Sequence, residues 1–168
     1  MGQGTARNAD LSVAAQNGDL TAMYELAMRL RLGIEDDAQP EAAVALLTHA
    51  ARGGVADAQL ELAMMYAAGD GVPHSDDHAA HWIGRAAQSG LPRAIYWLAC
   101  LHFEGAGVTR DLDQAYRLCL SARLAGFSDA GGILDATAQY LGADRCAEIA
   151  GELGTTPPPV WEHEVSAC

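Results

Sequence analysis

The stretch AQLELAMMYAAGDGV, Ala58–Val72, combines a helical stripe with a glycine-rich end. Within it, Ala58, Leu62 and Met65 recur at spacings of three and four residues, which is typical of one face of an α-helix. Gly69 follows at a place where helices commonly end in a left-handed residue. No strand precedes these glycines, and the third glycine of a dinucleotide-binding motif is missing. GDGV is therefore predicted to be a turn after a helix, with no role in binding phosphate.

The same pattern returns every 36 residues. A shift of that length aligns three residue types in four copies without a gap: Gly18, Gly54, Gly90 and Gly126; Ala22, Ala58, Ala94 and Ala130; Leu26, Leu62, Leu98 and Leu134. A second helical stripe follows in each copy, as at Ala79, Trp82, Ile83 and Ala86. Units of two helices that bury their faces against the next unit stack into an α-solenoid, and this is the predicted fold.

Residues between the stripes mark the helix ends. Ser75 and Asp111 precede second helices at equivalent positions and are predicted N-caps. Pro40 takes the start of the second helix in the first copy. Glycines recur where the first helices should close: Gly33, Gly69 and Gly105. Each unit is thus predicted to be helix, short turn, helix.

The pattern A-x-x-x-L-A-x-x-Y-x-x-G-x-G-V resembles the Sel1-like repeat, a relative of the tetratricopeptide repeat. The resemblance implies an all-α, right-handed α-solenoid of about three and a half repeats. We expect a repeat domain over residues 1–154, with a Pro-rich tail at 155–168. The repeats fall at about 18–53, 54–89, 90–125 and, in degenerate form, 126–153. The resemblance also implies a binding module that serves as an adaptor in protein complexes.

Both end repeats depart from the pattern. The first has Gly33-Ile34-Glu35-Asp36 where the others have the GxGV turn. The fourth has Gly131 and Gly132 inside its expected first helix, at a cost of about 1 kcal/mol per glycine relative to alanine. We expect a leading helix at residues 5–17 and a closing helix at 143–153 to cap the stack.

Composition excludes several partner classes. The chain has 168 residues, a net charge of -12 and a pI near 4.6. Acidic proteins repel polyanions, so nucleic acid and anionic membrane surfaces are not expected partners. The N-terminus has no apolar core typical of a secretory signal, and no run of eighteen apolar residues occurs. The four cysteines have no paired short spacing, and we expect reduced thiols in a cytoplasmic protein.

A candidate partner site comes from the helical faces opposite the leucine stripe. If Leu62 faces the core, positions 60, 64 and 67 point about 140 to 160° away. These positions hold apolar residues in several repeats, and first helices line the concave side of tetratricopeptide-like stacks. The expected partner-binding residues are Tyr24, Met28, Arg31, Leu60, Met64, Arg93, Tyr96, Cys100 and Phe103. The arginines would bind a partner's carboxylate. The alternative is that adjacent helices, or the chain's own tail, cover this ribbon.

The tail offers an occupant for that ribbon. TTPPPVWEHEVSAC, Thr155–Cys168, opens as a polyproline segment and carries one apolar pair, Val160 and Trp161. Trp161 would pack on the last helices, bind in the groove of its own chain, or bind a neighbouring chain and so cause self-association. A disordered end is the remaining alternative.

The sequence gives only weak signals for metal binding or catalysis. His74, His78 and His81 have helical spacings that would suit a surface zinc, but solvated side chains at an acidic helix start explain them more simply, so no metal or cofactor is expected. Cys100 and Cys119 are interpreted as small buried hydrophobes. No GxSxG or HExxH motif occurs, and the chain is not expected to be an enzyme. A hydrolase or β-lactam-binding role is a remote alternative, implied only by cysteine-rich relatives of the repeat family.

Acidic residues gather at the loops between helices. Glu35, Asp36 and Asp37 precede equivalent acids in the next repeats: Asp70, Asp76, Asp77, Asp111 and Asp113. They would cap helices and keep the protein soluble, or steer a basic partner towards the groove. The leading hypothesis is an adaptor that holds a peptide or helix of a partner protein. The alternative is a cytoplasmic immunity protein that neutralises a bacterial toxin through this acidic edge.

Overall fold

The computed structural model describes residues 3–34 and 38–156, with side chains from residue 7 onward. This part of the chain is helical throughout, and each helix packs mainly on its neighbours in sequence, as in an α-solenoid. The α-helices are α1 Gln3–Gln16, α2 Leu20–Leu32, α3 Pro40–Arg52, α4 Ala56–Ala68, α5 Asp76–Gln88, α6 Pro92–Glu104, α7 Leu112–Leu124, α8 Gly131–Leu141 and α9 Ala143–Glu152. None of these helices is long and apolar enough to span a membrane.

The predicted helix ends are confirmed. Ser75 Oγ accepts a hydrogen bond from the backbone N–H of His78, and the carboxylate of Asp111 accepts one from Gln114. These bonds satisfy amide groups that have no partner inside the helix. The glycines that end α2, α4 and α6 are left-handed, with φ of 64°, 70° and 81° at Gly33, Gly69 and Gly105.

The second glycine of the GxGV turn lets adjacent repeats approach closely. Gly71 and Gly107 have φ of 70° and 65°. A Cβ atom on Gly71 would lie 2.6 Å from the carbonyl carbon of Pro40, and one on Gly107 would overlap the carbonyl oxygen of Asp76. Each turn therefore rests against the start of the second helix of the preceding repeat. Only glycine fits both the conformation and the space.

Most buried side chains among the described residues form two clusters. The larger spans α1 to α6 and includes Leu47, Leu62 and Ile83. The smaller spans α6 to α9 around Tyr116 and Leu134. The division falls at the third repeat, where α6 contributes side chains to both clusters.

The fourth unit begins differently from the prediction. Gly131 and Gly132 were expected inside its first helix, but residues Ser128–Ala130 form a 3-10 turn and α8 starts at Gly131. The glycines thus stand in the first turn of α8, where fewer intrahelical hydrogen bonds depend on them. Helices α1 and α9 flank the repeats, at the predicted leading and closing places.

Candidate functional site

A groove of about 500 Å³ runs across the first helices of successive repeats. It begins at α2, crosses α4 and α6, and ends at the turn before α8. Its lining residues are Arg31, Leu60, Glu61, Met64, Arg93, Tyr96, Trp97, Phe127 and Asp129. We refer to this set as the groove.

The structure brings together part of the predicted ribbon. Five of its nine residues line the groove: Arg31, Leu60, Met64, Arg93 and Tyr96. The other four lie outside the lining: Tyr24, Met28, Cys100 and Phe103. Tyr24 is half-buried and packs on the larger core cluster, while Phe103 is half-buried near the end of α6. The predicted strip is therefore shorter than expected.

Two ribbon residues are not exposed as the helical wheel predicted. Only 1% of Leu60 and 7% of Cys100 is accessible to solvent. Leu60 belongs to the larger core cluster, whose members come from α1 to α6, and that packing covers it. Leu60 thus forms the floor of the groove. The partly exposed apolar surface of the groove belongs to half-buried neighbours such as Met64 and Tyr96.

Three charged residues from successive repeats form an ion ladder along the groove: Arg31, Glu61 and Arg93. The Glu61 carboxylate accepts a hydrogen bond from each arginine at 3.0 Å, and only 13% of its side chain is exposed. Arg31 also bonds Asp70 at 2.9 Å. Arg93 lies 3.8 Å from Asp57. Partly buried ion pairs of this kind hold their side chains in place.

The ladder gives the two predicted arginines carboxylate partners within the chain. Arg31 and Arg93 were predicted to bind a carboxylate of the partner, but their guanidinium groups already bind carboxylates of this chain. Sequence reasoning missed Glu61 altogether. The available signal was a charged residue between two leucines, Leu60 and Leu62, which are both buried. A carboxylate in such a place requires a cationic partner.

Tyr24 lies close to the ladder. Burial raises its pKa above the ordinary value of 10.0, and the nearby carboxylates of Glu61 and Asp57 act in the same direction. The phenol keeps its proton at neutral pH, as an ordinary tyrosine does, and can donate a hydrogen bond.

The other end of the groove is aromatic. The ring of Tyr96 lies 5.0 Å from that of Phe127 and 5.8 Å from that of Trp97, measured between centroids. Burial raises the pKa of Tyr96 to about 12, and the hydrogen-bonded thiol of Cys100 adds to the effect. Asp129 completes this end with an exposed carboxylate. Trp97, Phe127 and Asp129 were absent from the predicted site.

Comparison with known families identifies the repeat. The model of the Sel1 repeat matches residues 20–55, 56–91 and 92–127, which together cover more than half of the chain. This chain belongs to the Sel1 repeat family. The matched units have the predicted length of 36 residues and begin two residues later than predicted. Sel1 repeats generally serve as protein–protein interaction modules.

Solved structures agree with this assignment. A Sel1 repeat protein from Oxalobacter formigenes is 34% identical, with a TM-score of 0.69 over 76% of this chain and 96% of that one. The protective antigen c5321 of uropathogenic Escherichia coli, with an SLR fold, is 27% identical, with a TM-score of 0.70; the match covers 89% of this chain and 30% of that chain. Cysteine-rich protein B of Helicobacter pylori, at 24% identity and a TM-score of 0.60 over 76% of this chain and 96% of that one, shows the fold alone. No curated protein matches the sequence.

The histidines of the second Sel1 repeat have partners within the protein. His74 Nδ1 lies 2.8 Å from the carbonyl oxygen of Ala67. His78 Nδ1 lies 2.9 Å from Ser75 Oγ, and its ring stacks on Tyr66 at 4.8 Å between centroids. The described side chains contain no group of three metal-ligating residues.

The cysteines in the described part of the Sel1 chain are buried and unpaired: Cys100, Cys119 and Cys146. Burial raises the pKa of Cys119 to about 12 and raises the pKa of the other two thiols as well. Thiols with raised pKa values are poor nucleophiles. Cys168 and the predicted apolar pair Val160 and Trp161 lie outside the described residues.

Four of the five acids of the predicted edge that the structure describes have structural contacts. Asp70 binds Arg31, Asp111 caps α7, Asp113 binds Arg145, and Asp76 lies 3.4 Å from His74. Asp77 stands in the first turn of α5 and is exposed. The remaining members of the edge, Glu35, Asp36 and Asp37, fall outside the described residues.

Proposed function

We propose that this Sel1 repeat protein is a non-catalytic adaptor that binds a peptide or helix of a partner protein in the groove and acts in the cytoplasm. The observation that carries the proposal is the make-up of the groove: a floor at Leu60, half-buried apolar side chains at Met64 and Trp97, and charged residues at the rim. Concave apolar surfaces with a few fixed polar groups are typical of binding sites.

The ion ladder supports this role by fixing the walls. Arg31 of α2, Glu61 of α4 and Arg93 of α6 connect three consecutive repeats. A groove whose walls are already fixed loses little conformational entropy when a partner binds. Tyr24, Met28, Cys100 and Phe103 would then act around the groove as support, or as contacts for a long partner.

Photo-crosslinking tests the proposal. A benzophenone amino acid is placed at position 64 in the groove and, as the matched control, at position 32. Leu32 is 62% exposed and does not line the groove. Proteins crosslinked at 64 and not at 32 are identified by mass spectrometry. Crosslinks that are the same at both positions would contradict a groove-specific site.

The identified partner is then produced and its affinity measured by calorimetry. Because a charge in an apolar contact must be desolvated, we expect Met64→Glu to weaken binding by about tenfold or more. The control Leu32→Glu should bind as the wild type does. Circular dichroism of both variants verifies that they are folded. Removal of residues 155–168 tests whether the tail competes for the groove or causes self-association.

The alternative function is neutralisation of a basic bacterial toxin by the acidic surface. It rests on the net charge of -12 and on exposed acids such as Asp77. The two functions differ in salt dependence, because the Debye length falls to about 10 Å at 0.1 M salt. An edge-steered complex should lose association rate sharply between 0.02 and 0.2 M NaCl, on the order of tenfold. Binding through the apolar groove should change far less.

A further inference from the structure

The residue types at two equivalent repeat positions change across the third repeat. Asp57, Arg93 and Asp129 occupy the same position in consecutive repeats, and so do Glu61 and Trp97. At the junction of the second and third repeats, Arg93 reaches back to Glu61 at 3.0 Å. At the next junction, the corresponding residues are Asp129 and Trp97. The arginine of the ladder is thus replaced by an acid, and the acid by an aromatic ring.

Asp129 is left without a cation in this arrangement. Among the described residues, its only polar contact is the Ser128 hydroxyl, which donates a hydrogen bond at 3.3 Å. Arg93 also lines the groove, but its guanidinium group is bound by Glu61. Asp129 lines the same groove as three aromatic rings. The carboxylate and the rings therefore face a shared space.

This combination is suited to a cation. Aromatic faces attract a guanidinium or ammonium group, and the attraction increases when solvent is partly excluded. A carboxylate beside the rings adds a charge-assisted hydrogen bond. Guanidinium fits both features best, because it is planar, stacks on rings and binds carboxylates through two N–H groups.

The excess of negative charge around the groove also favours a positively charged ligand. Among the described residues, the two groove arginines, Arg31 and Arg93, are outnumbered by four carboxylates that line the groove or lie against those arginines: Asp57, Glu61, Asp70 and Asp129. The complementary partner segment is therefore positively charged.

We infer that the aromatic end of the groove binds an arginine side chain of the partner, between the rings of Tyr96, Trp97 and Phe127 and the carboxylate of Asp129. This inference rests on the proposed function and adds to it the chemistry of the bound segment. The guanidinium of the partner supplies the positive charge that Arg93 supplies at the preceding junction. Apolar residues next to that arginine contact Met64, above the buried floor at Leu60.

The test uses two peptides that differ only in charge: acetyl-Leu-Arg-Leu-amide and the same peptide with citrulline, the neutral analogue of arginine. Each is titrated into the ¹⁵N-labelled full chain, and amide and indole signals are followed by NMR. We expect the arginine peptide to shift the signals of residues 96, 97, 127 and 129, and to bind about tenfold more tightly than the citrulline peptide.

Two variants locate the effect. Asp129→Asn should remove the preference for arginine, because it keeps the size of the side chain and deletes its charge. Asp77→Asn deletes one exposed charge on α5, away from the groove, and should keep the preference. Both positions are exposed, so both variants should fold.

The outcomes separate this inference from the proposed function. Equal binding of both peptides in the groove would overturn the arginine site and leave the groove as a partner site. Shifts from the arginine peptide at residues elsewhere, or a preference that survives Asp129→Asn, would also overturn it. Absence of any shift in the groove at millimolar concentrations of both peptides would count against the groove as a peptide site as well.

Discussion

The two junctions on either side of the third repeat share one backbone register and differ in chemistry. Upstream, Glu61 is partly buried between Arg31 and Arg93, and the junction is closed by charges that belong to the chain. Downstream, Trp97 and Asp129 take the places of Glu61 and Arg93, and the rings line an open groove. The difference shows that a repeat lattice fixes where side chains lie, while a few substitutions decide whether a junction closes on itself or accepts a partner.

The largest expected loss of stability comes from substitution of a turn glycine. This substitution tests how closely the repeats pack at the upstream junction. Gly107→Ala places a Cβ atom against the carbonyl group of Asp76 at a φ of 65°. Left-handed strain and overpacking together should lower the free energy of unfolding by about 2 to 4 kcal/mol. Urea unfolding measures it. A stability equal to that of the wild type would show that the repeats pack less closely than the structure indicates.

The ion ladder gives the next largest effect. Glu61→Gln removes the charge that holds both arginines, and we expect a loss of about 1 to 3 kcal/mol in the free energy of unfolding. The matched control is Glu25→Gln, one repeat earlier, where Glu25 binds Arg7 at 3.4 Å and 44% of its side chain is exposed. That exposed pair should contribute less than about 1 kcal/mol. Equal losses in both variants would contradict a special role for the upstream ladder.

A glycine-to-alanine substitution in the downstream unit should raise the free energy of unfolding, whereas Gly107→Ala should lower it. Gly132 lies in the first turn of α8, its backbone φ is not positive, and a Cβ atom there would meet no atom within 4 Å. Gly132→Ala should therefore raise the free energy of unfolding by up to about 1 kcal/mol. Urea unfolding of Gly132→Ala and Gly107→Ala under the same conditions compares the two changes in stability directly. A loss of stability would mean that the space beside α8 is occupied.

The sequence was sufficient to predict the repeat length, the helix pairs and their caps, because each depends on residues within one unit. Ser75, Asp111 and the glycines after α4 and α6 could be identified from local preference alone. The burial of Leu60 and Cys100 could not be predicted, because a helical wheel describes one helix alone and burial depends on the other helices that pack on it. The pairing of Glu61 depends on distances between repeats.

The downstream half of the groove was missed for a related reason. Asp129 lies in the 3-10 turn that replaces the start of the expected first helix, and Phe127 directly precedes that turn. The repeat pattern placed them in a degenerate unit, where no binding residue was expected. Alignment of position 129 with Arg93 was the available signal, since it shows an acid in the place of a ladder arginine.

The smallest expected effect concerns one of the ion pairs between α7 and the closing helix α9. Arg145 of α9 donates a hydrogen bond from Nε to Asp113 at 2.9 Å, and this bond lowers the pKa of Asp113 below its ordinary value of 3.8. A carboxylate with a lowered pKa stabilises the fold above its ordinary pKa, and that stabilisation is lost as the pH falls through the folded value. Because both side chains are more than a third exposed, Asp113→Asn should cost only about 0.5 kcal/mol at pH 7.

The pH dependence of this loss identifies its origin. The difference between wild type and Asp113→Asn should shrink in urea unfolding as the pH is lowered from 5 to below 3.8, since protonation removes the charge of the wild-type side chain as well. Asp77 holds the equivalent place in α5 and has no arginine partner among the described residues, so Asp77→Asn isolates the effect of a charge in the first helical turn. If the two variants lose the same stability at pH 7, the contact with α9 contributes nothing beyond the helix dipole. A greater loss in Asp113→Asn would mean that the terminal unit, although it lacks the upstream ladder, is attached by an ion pair of its own.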